Sequence, residues 1–426
     1  ELDKHIEVKD NMVVFHLTQS YPPFMQILSQ SSSWSAIMDK EWCIEQGAWD
    51  GSVVTIPEYH DIGKENDPLY DKMMGTGPFV FDKWVKGDRI VFKRNDNYWG
   101  EKANFETAII RYVDEYSTRK LMLQRGDADM IYATRQYIDQ LKQMDGVMVK
   151  AGHPELQDMI GIMNWGITTK GNEAVGSAKL DGKGIPADFF ADEDVRKGFS
   201  YAFNYKAFIE QVRRGLSERV RGPVVKPLLG YDEDSKVIKH NMEKAKQHFQ
   251  KAFDGELWDK GFEMTVLYNS GNPSRKIASD IIKTYVEKIN PKFDVKVRGV
   301  QWSTYLDSLL QGKFTLGFMG WSVDFPDPHN FVTPHMASDG TFGGWKGDPY
   351  IEWAQENVDP LIEKGLKTLD TEKREEIYGE IQKLAVENAT DIWIDQPSGM
   401  KVMRDWVKGW YANPMHPDVV FYTLDK

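Results

Sequence analysis

Trp302, Tyr305, Trp321 and Asp324 are the residues whose types and spacing come closest to a chemical site. Phe293 to Arg298 reads as a strand ending just before Gln301-Trp302, with Tyr305 one helical turn later. Phe314 to Met319 reads as the next strand, ending at Gly320-Trp321-Ser322-Val323-Asp324-Phe325-Pro326-Asp327-Pro328. In open α/β sheets ligands bind beyond the carboxyl ends of strands. If these two strands run parallel, Trp302 and Asp324 emerge at the same edge. An aromatic face beside a carboxylate suits a ligand with an apolar body and polar or cationic groups. The bland alternative makes Trp302 and Trp321 core residues and Asp324 or Asp327 a turn cap.

Catalytic signatures are missing. The chain carries no His-Glu-x-x-His, Gly-x-Ser-x-Gly, Gly-x-x-x-x-Gly-Lys or Cys-x-x-Cys. His329 and His335 are near enough in sequence to share a metal, yet nothing beside them has ligand spacing, so no metal or other cofactor is expected. Asp127 and Asp129 read as turn chemistry.

The elements that would hold such residues follow from the hydrophobic pattern. Val8, Met12, Val14, Phe15 and Leu17 flank the turn signal Asp10-Asn11, and a short helical pattern follows Tyr21-Pro22-Pro23. Gly75 to Trp99 reads as a hairpin turning at Lys86-Gly87-Asp88. Ala108 to Val113 is a strand, Ser117 caps the next helix, and Met130-Ile131-Tyr132 is a strand, together a βαβ-type unit. Phe262 to Tyr268 is a strand. Pro273-Ser274 then opens a helix with Ile277, Ile281, Ile282, Tyr285 and Ile289 on one face. Asp370 or Thr371 caps a helix near the end. The fold class is α/β, in at least two lobes.

With 426 residues and 41% hydrophobic content the chain can bury two sizeable cores. A formal charge of −12, with no basic cluster, excludes a phosphate-tracking surface and hence nucleic acid. The single cysteine, Cys43, excludes an internal disulfide. No run of 18 apolar residues spans a membrane.

Three segments, in order, resemble a known family. Gly75-Thr76-Gly77-Pro78-Phe79 with Trp84 and Arg89-Ile90-Val91-Phe92-Lys93-Arg94-Asn95-Asp96-Asn97-Tyr98-Trp99 resembles the signature hairpin of the family 5 solute-binding proteins of ABC importers. Asp194 to Asn204 resembles its helix-opening segment, and Trp321 to Phe331, with Asp327-Pro328 and Asn330-Phe331, a third block. The resemblance implies a two-lobed periplasmic-binding-protein clamshell of the class II type, each lobe a mixed sheet flanked by helices. Residues 1–68 would be the remainder of a small β-rich subdomain of lobe I, 69–165 with 397–426 lobe I, and 166–396 lobe II. The crossings would lie near Met163-Asn164-Trp165-Gly166 and Asp395-Gln396-Pro397. It also implies roughly another hundred residues ahead of the Phe15-His16-Leu17 strand.

The implied activity is non-enzymatic: capture of oligopeptides in an interlobe cleft and delivery to membrane permease subunits. The protein would be a periplasmic or extracellular monomer, with a lipid anchor possible upstream. Asp324 falls where peptide-binding relatives hold the ligand's ammonium. Phe318 and Asn269 stand where some relatives place arginines against the ligand's carboxylate, which favours a longer peptide held through its backbone. Oligosaccharides stacked on Trp165, Trp302, Trp321 and Trp345 are the alternative, and a carbohydrate- or peptide-active enzyme a further one. The implied ligand-binding set is Asp324, Trp321, Trp302, Tyr305, Asn164, Trp165 and Trp345 with the Gly75, Thr76, Gly77 and Phe79 loop.

Overall fold

A computed structural model describes residues 2–29, 36–59, 62–415 and 420–426. The strands are β1 (Ile6–Lys9), β2 (Met12–Phe15), β3 (Phe79–Val85), β4 (Arg89–Arg94), β5 (Thr107–Arg111) and β6 (Met130–Ile131). They continue as β7 (Val147–Pro154), β8 (Met159–Met163), β9 (Ser217–Glu218), β10 (Phe262–Asn269), β11 (Phe293–Val300), β12 (Leu316–Met319) and β13 (Asp391–Arg404). The chain divides into two compact units, Glu1–Ser29 with Pro154–Gly399, and Gln30–His153 with Met400–Lys426. The larger unit thus takes in the first hairpin, which was expected with 30–68. The division also falls at Pro154 and Gly399 and not at 165/166 and 396/397. Local bonding explains why the expected crossings lie inside the unit. Asp395 is fully buried against Arg213 at 2.7 Å, and the buried Gln396 accepts from the Lys226 amide at 2.9 Å.

In the larger unit β8, a continuous apolar run buried at every position, sits between β12 and β13 and pairs antiparallel with both. Gly161 makes that contact possible, because a Cβ there would stand 3.0 Å from the Phe318 ring and 3.2 Å from Ile392. β10 and β11 form a parallel pair, Phe262↔Phe293 through Asn269↔Val300, joined by the helix Pro273–Ile289. That helix starts where its local chemistry dictates: Asn272 Oδ1 accepts from the Arg275 amide at 3.0 Å and Pro273 occupies the first turn. Its Ala278, Ile281, Ile282 and Val286 are buried. Phe189, Phe190, Phe199, Phe249, Phe262 and Phe293 fill the core, most of them meeting edge-on or tilted.

Two pairings differ from the sequence expectation. The strand β12 bonds to β8, and β11 is not its partner, so Trp302 and Asp324 do not share the edge of one parallel pair. All four residues of β12 are buried, and the fully apolar β8 supplies a matching neighbour. In the smaller unit, β5 closes an antiparallel β3-β4-β5 sheet while β6 pairs with β13. The helix Tyr116–Arg125 therefore links two sheets and is not a βαβ crossover. One buried residue in β5, Ala108, could not sustain a strand covered on both faces. The cap of that helix is Glu115, in extended conformation, and Ser117 lies within the helix. The β3-β4 hairpin turns at Lys86-Gly87-Asp88 as its sequence indicates, with Gly87 at φ +79°. Leu123, Ala133, Leu141 and Val402 form one small core, and Met403, Val407 and Leu424 another.

Candidate functional site

Beyond β12 the chain turns sharply at Gly320, where a Cβ would stand 2.5 Å from the Asp158 carbonyl. Trp321 is then locked to Asp158: its amide donates to Oδ1 at 3.0 Å, and the Asp158 amide donates to the Trp321 carbonyl at 3.0 Å. The other Asp158 oxygen lies 2.9 Å from His335 Nε2, and both side chains are fully buried. The buried Asn330, in the first turn of the helix His329–Met336, completes the frame. Its Oδ1 accepts from the Asp324 amide at 2.7 Å and from the Trp321 indole at 3.3 Å. Its Nδ2 donates to Asp324 Oδ2 at 3.1 Å. One amide side chain thus sets the carboxylate and the indole side by side, both of them half-buried. Phe342 meets Trp321 edge-on at 5.7 Å and Trp345 at 5.2 Å, bringing Trp345 into the same group.

Asp327 and the histidines serve the frame. Asp327 is buried, accepts from the His329 amide at 3.0 Å and receives both terminal nitrogens of Arg374. Its charge, after burial, also helps push the Tyr21 phenol above its usual range. His329 Nδ1 lies 2.8 Å from Thr333 Oγ1, and burial lowers its pKa to about 4 although Asp327 opposes this. His335 and His329 thus have separate partners. Among the described residues no three or more His, Cys, Asp or Glu side chains gather as a metal site.

A second group forms around Trp302 at the start of the helix Trp302–Leu310. Trp302 is 46% exposed and its ring centroid lies 6.1 Å from that of Tyr305. Tyr305 is fully buried, donates to the Phe318 carbonyl at 3.0 Å, and burial pushes its phenol up to about 12. The two groups are therefore joined through β12, which carries Phe318 and leads into Trp321. Against Trp302 and Tyr305 lies Arg275, its guanidinium 5.3 Å and 5.5 Å from the two ring centroids. Its Nη1 donates to Asn269 Oδ1 at 2.7 Å. Sequence reasoning had passed over this residue. The available signal was a cation in the first turn of a helix, where the dipole disfavours one.

Two other expected ligand residues are placed in the interior by their partners. Asn164 is fully buried, donating to the carbonyls of Gly312 at 3.0 Å and Phe314 at 2.9 Å. Trp165 is buried under the Arg196 guanidinium at 3.6 Å and edge-on to Tyr350 at 5.1 Å. With Tyr305 these side chains shape the surface from below and do not offer one. In the smaller unit Gly75 and Thr76 lie on an exposed loop, and the Gly77 carbonyl accepts from Asn95 Nδ2 at 2.9 Å. Phe79 packs on Phe105 at 5.4 Å and on Phe421 at 6.2 Å, within that unit's own aromatic cluster.

Residues 2–343, a span that includes all three signature segments, match the profile of bacterial extracellular solute-binding proteins, family 5 Middle. The chain belongs to this family. It is 26% identical over 420 residues to the probable D,D-dipeptide-binding periplasmic protein DdpA of Escherichia coli (strain K12), covering 97% of this chain and 71% of that protein. It is 25% identical over 418 residues to the dipeptide-binding protein of the same organism, covering 96% and 69%. The periplasmic binding protein DppA of Helicobacter pylori, solved in complex with the peptide STSA, has the same fold: TM-score 0.70 at 22% identity, over 99% of this chain and 73% of that one. Members of the family 5 solute-binding proteins serve transport, and DdpA and DppA are periplasmic proteins. Among the described residues no helix is long and apolar enough to cross a membrane.

Proposed function

We propose that this family 5 chain captures oligopeptides at the outer side of a bacterial membrane and delivers them to the permease of an ABC importer. The observation that carries this reading is the Asp324 carboxylate, held by Asn330 beside the Trp321 indole. A carboxylate in such a half-buried place suits a ligand ammonium, because a charge-assisted bond gains strength as water is excluded. The aromatic faces of Trp321 and Trp302 suit the apolar parts of a peptide. The two Escherichia coli relatives are named for dipeptides, and the Helicobacter pylori structure holds a tetrapeptide.

Calorimetry and thermal melts with peptides of two to six residues, N-acetylated peptides, and cello-, xylo- and manno-oligosaccharides test the assignment. Free-amine peptides are expected to raise the melting temperature, and acetylation or Asp324→Asn to weaken binding by about tenfold or more. A response confined to oligosaccharides, or an Asp324→Asn chain that binds free-amine peptides unchanged, would overturn it.

A further inference from the structure

A small cavity in the larger unit is lined by Ser200 of the helix Glu193–Ala202, Arg219 just past β9, and Asp391 and Trp393 of β13. None of the four belongs to the groups around Trp321 or Trp302. Asp391 and Trp393 stand two residues apart on one strand and so share a face. Ser200 and Asp391 are 1% exposed, and Trp393 is 5% exposed. Each of the four has one polar atom for which no described residue supplies a hydrogen-bond partner: Ser200 Oγ, Arg219 Nε, Asp391 Oδ1 and Trp393 Nε1. Other atoms of the charged pair are well served. Asp391 Oδ2 accepts from Lys346 Nζ at 2.6 Å, and Arg219 Nη2 donates to the carbonyls of Ile238 and Trp393, both at 3.1 Å. Buried polar groups as a rule find partners, so four without one around a single cavity mark a binding site.

The chemistry of the ring decides what fits. Arg219 and Trp393 can only donate, the Asp391 carboxylate accepts, and the Ser200 hydroxyl does either. The Asp391 oxygen opposes an anion, and the Arg219 guanidinium opposes a cation. What suits the ring is a neutral molecule that accepts twice and donates twice. A volume of about 10 Å³ matches a single water, and Val220 and Val386 add apolar wall around it. We propose that this cavity binds one internal water, which accepts from Arg219 Nε and Trp393 Nε1 and donates to Asp391 Oδ1 and Ser200 Oγ. The carboxylate of Asp391 then serves two cations, Lys346 directly and Arg219 through the water. Among the described residues no carboxylate forms an ion pair with Arg219, whose guanidinium carbon lies 3.3 Å from the Tyr205 ring centroid. Burial pulls its pKa below the usual arginine range. The water thus links this cation to a counter-charge and ties the helix Glu193–Ala202 and the segment after β9 to β13. The site stands whatever ligand the protein carries.

Two measurements on the full chain test it. A crystal structure at a resolution that orders water is expected to show one isolated peak within hydrogen-bond distance of at least three of the four atoms. A bromide soak of the same crystals is expected to leave that place without anomalous signal. Water-deuteron magnetic relaxation dispersion counts waters held for long times inside a protein. Ser200→Val, which puts a branched apolar side chain into the cavity, is expected to hold one such water fewer, and Ser200→Ala to keep the count. Bromide bound beside Arg219 would overturn the proposal in favour of an anion site. Four atoms turned onto protein partners with no density between them would also overturn it, as would an unchanged count of long-lived waters in Ser200→Val.

Discussion

Arg374 reaches Asp327 with both terminal nitrogens, at 3.1 and 3.0 Å, and also donates to the Tyr378 hydroxyl and the Gly365 carbonyl. Both members of the pair are buried. Three residues earlier, Asp324 sits half-buried on Asn330. The same residue type on one turn thus does two different things. Truncating Asp327 strands a buried guanidinium, whereas an amide at position 324 can still accept from Asn330. In urea unfolding of the ligand-free chain, Asp327→Ala is expected to cost about 3–5 kcal/mol. Asp324→Asn is expected to cost about 1 kcal/mol or less. Equal costs would show that Asp324 is as much a part of the frame as Asp327.

At the scale of elements, the helix Pro273–Ile289 shows what local chemistry can settle. Asn272 caps the Arg275 amide at 3.0 Å and Pro273 fixes the first turn. Asn272→Ala is expected to lower stability by about 1 kcal/mol, read as a shift of the urea midpoint at unchanged slope. An unchanged midpoint would mean that tertiary packing, not the cap, sets this end. Such starts were legible because cap, proline and apolar face lie within a few residues of one another. The β3-β4 hairpin was legible for the same reason, through Lys86-Gly87-Asp88. The partner of β12 was not: Leu316–Met319 is a short apolar run that satisfies any buried neighbour, and β8 lies far back in the chain. The site divided in the same way. Trp321 and Asp324 stand close in sequence and so could be named together as candidates, but the side chain that joins them, Asn330, is ordinary in type. The contacts of Arg275 with Trp302 and Tyr305, and those of Arg196 and Tyr350 that bury Trp165, join residues far apart in the chain and are made only in three dimensions.

For the whole molecule, the two units differ in how their strands are buried. Every residue of β8 is buried, and strands lie on both sides of it. In the β3-β4-β5 sheet only Val91 and Ala108 are buried, while Val80, Val85, Ile109 and Ile110 are 42%, 39%, 56% and 50% exposed. Local opening follows from buried apolar contact, so backbone hydrogen bonds of the smaller unit's sheet should break well below the global unfolding free energy. Hydrogen exchange measured by mass spectrometry is expected to show fragments covering 79–94 exchanging through such partial openings. Fragments covering 159–163 should exchange only with global unfolding. A peptide ligand held by Asp324 should then slow exchange first in 319–336, by an amount that grows with the logarithm of its concentration. Equal protection of 79–94 and 159–163 in the free chain would mean that the exposed sheet draws its stability from more than its own strands. Slowing confined to 79–94 on adding peptide would move the anchoring residues to the smaller unit.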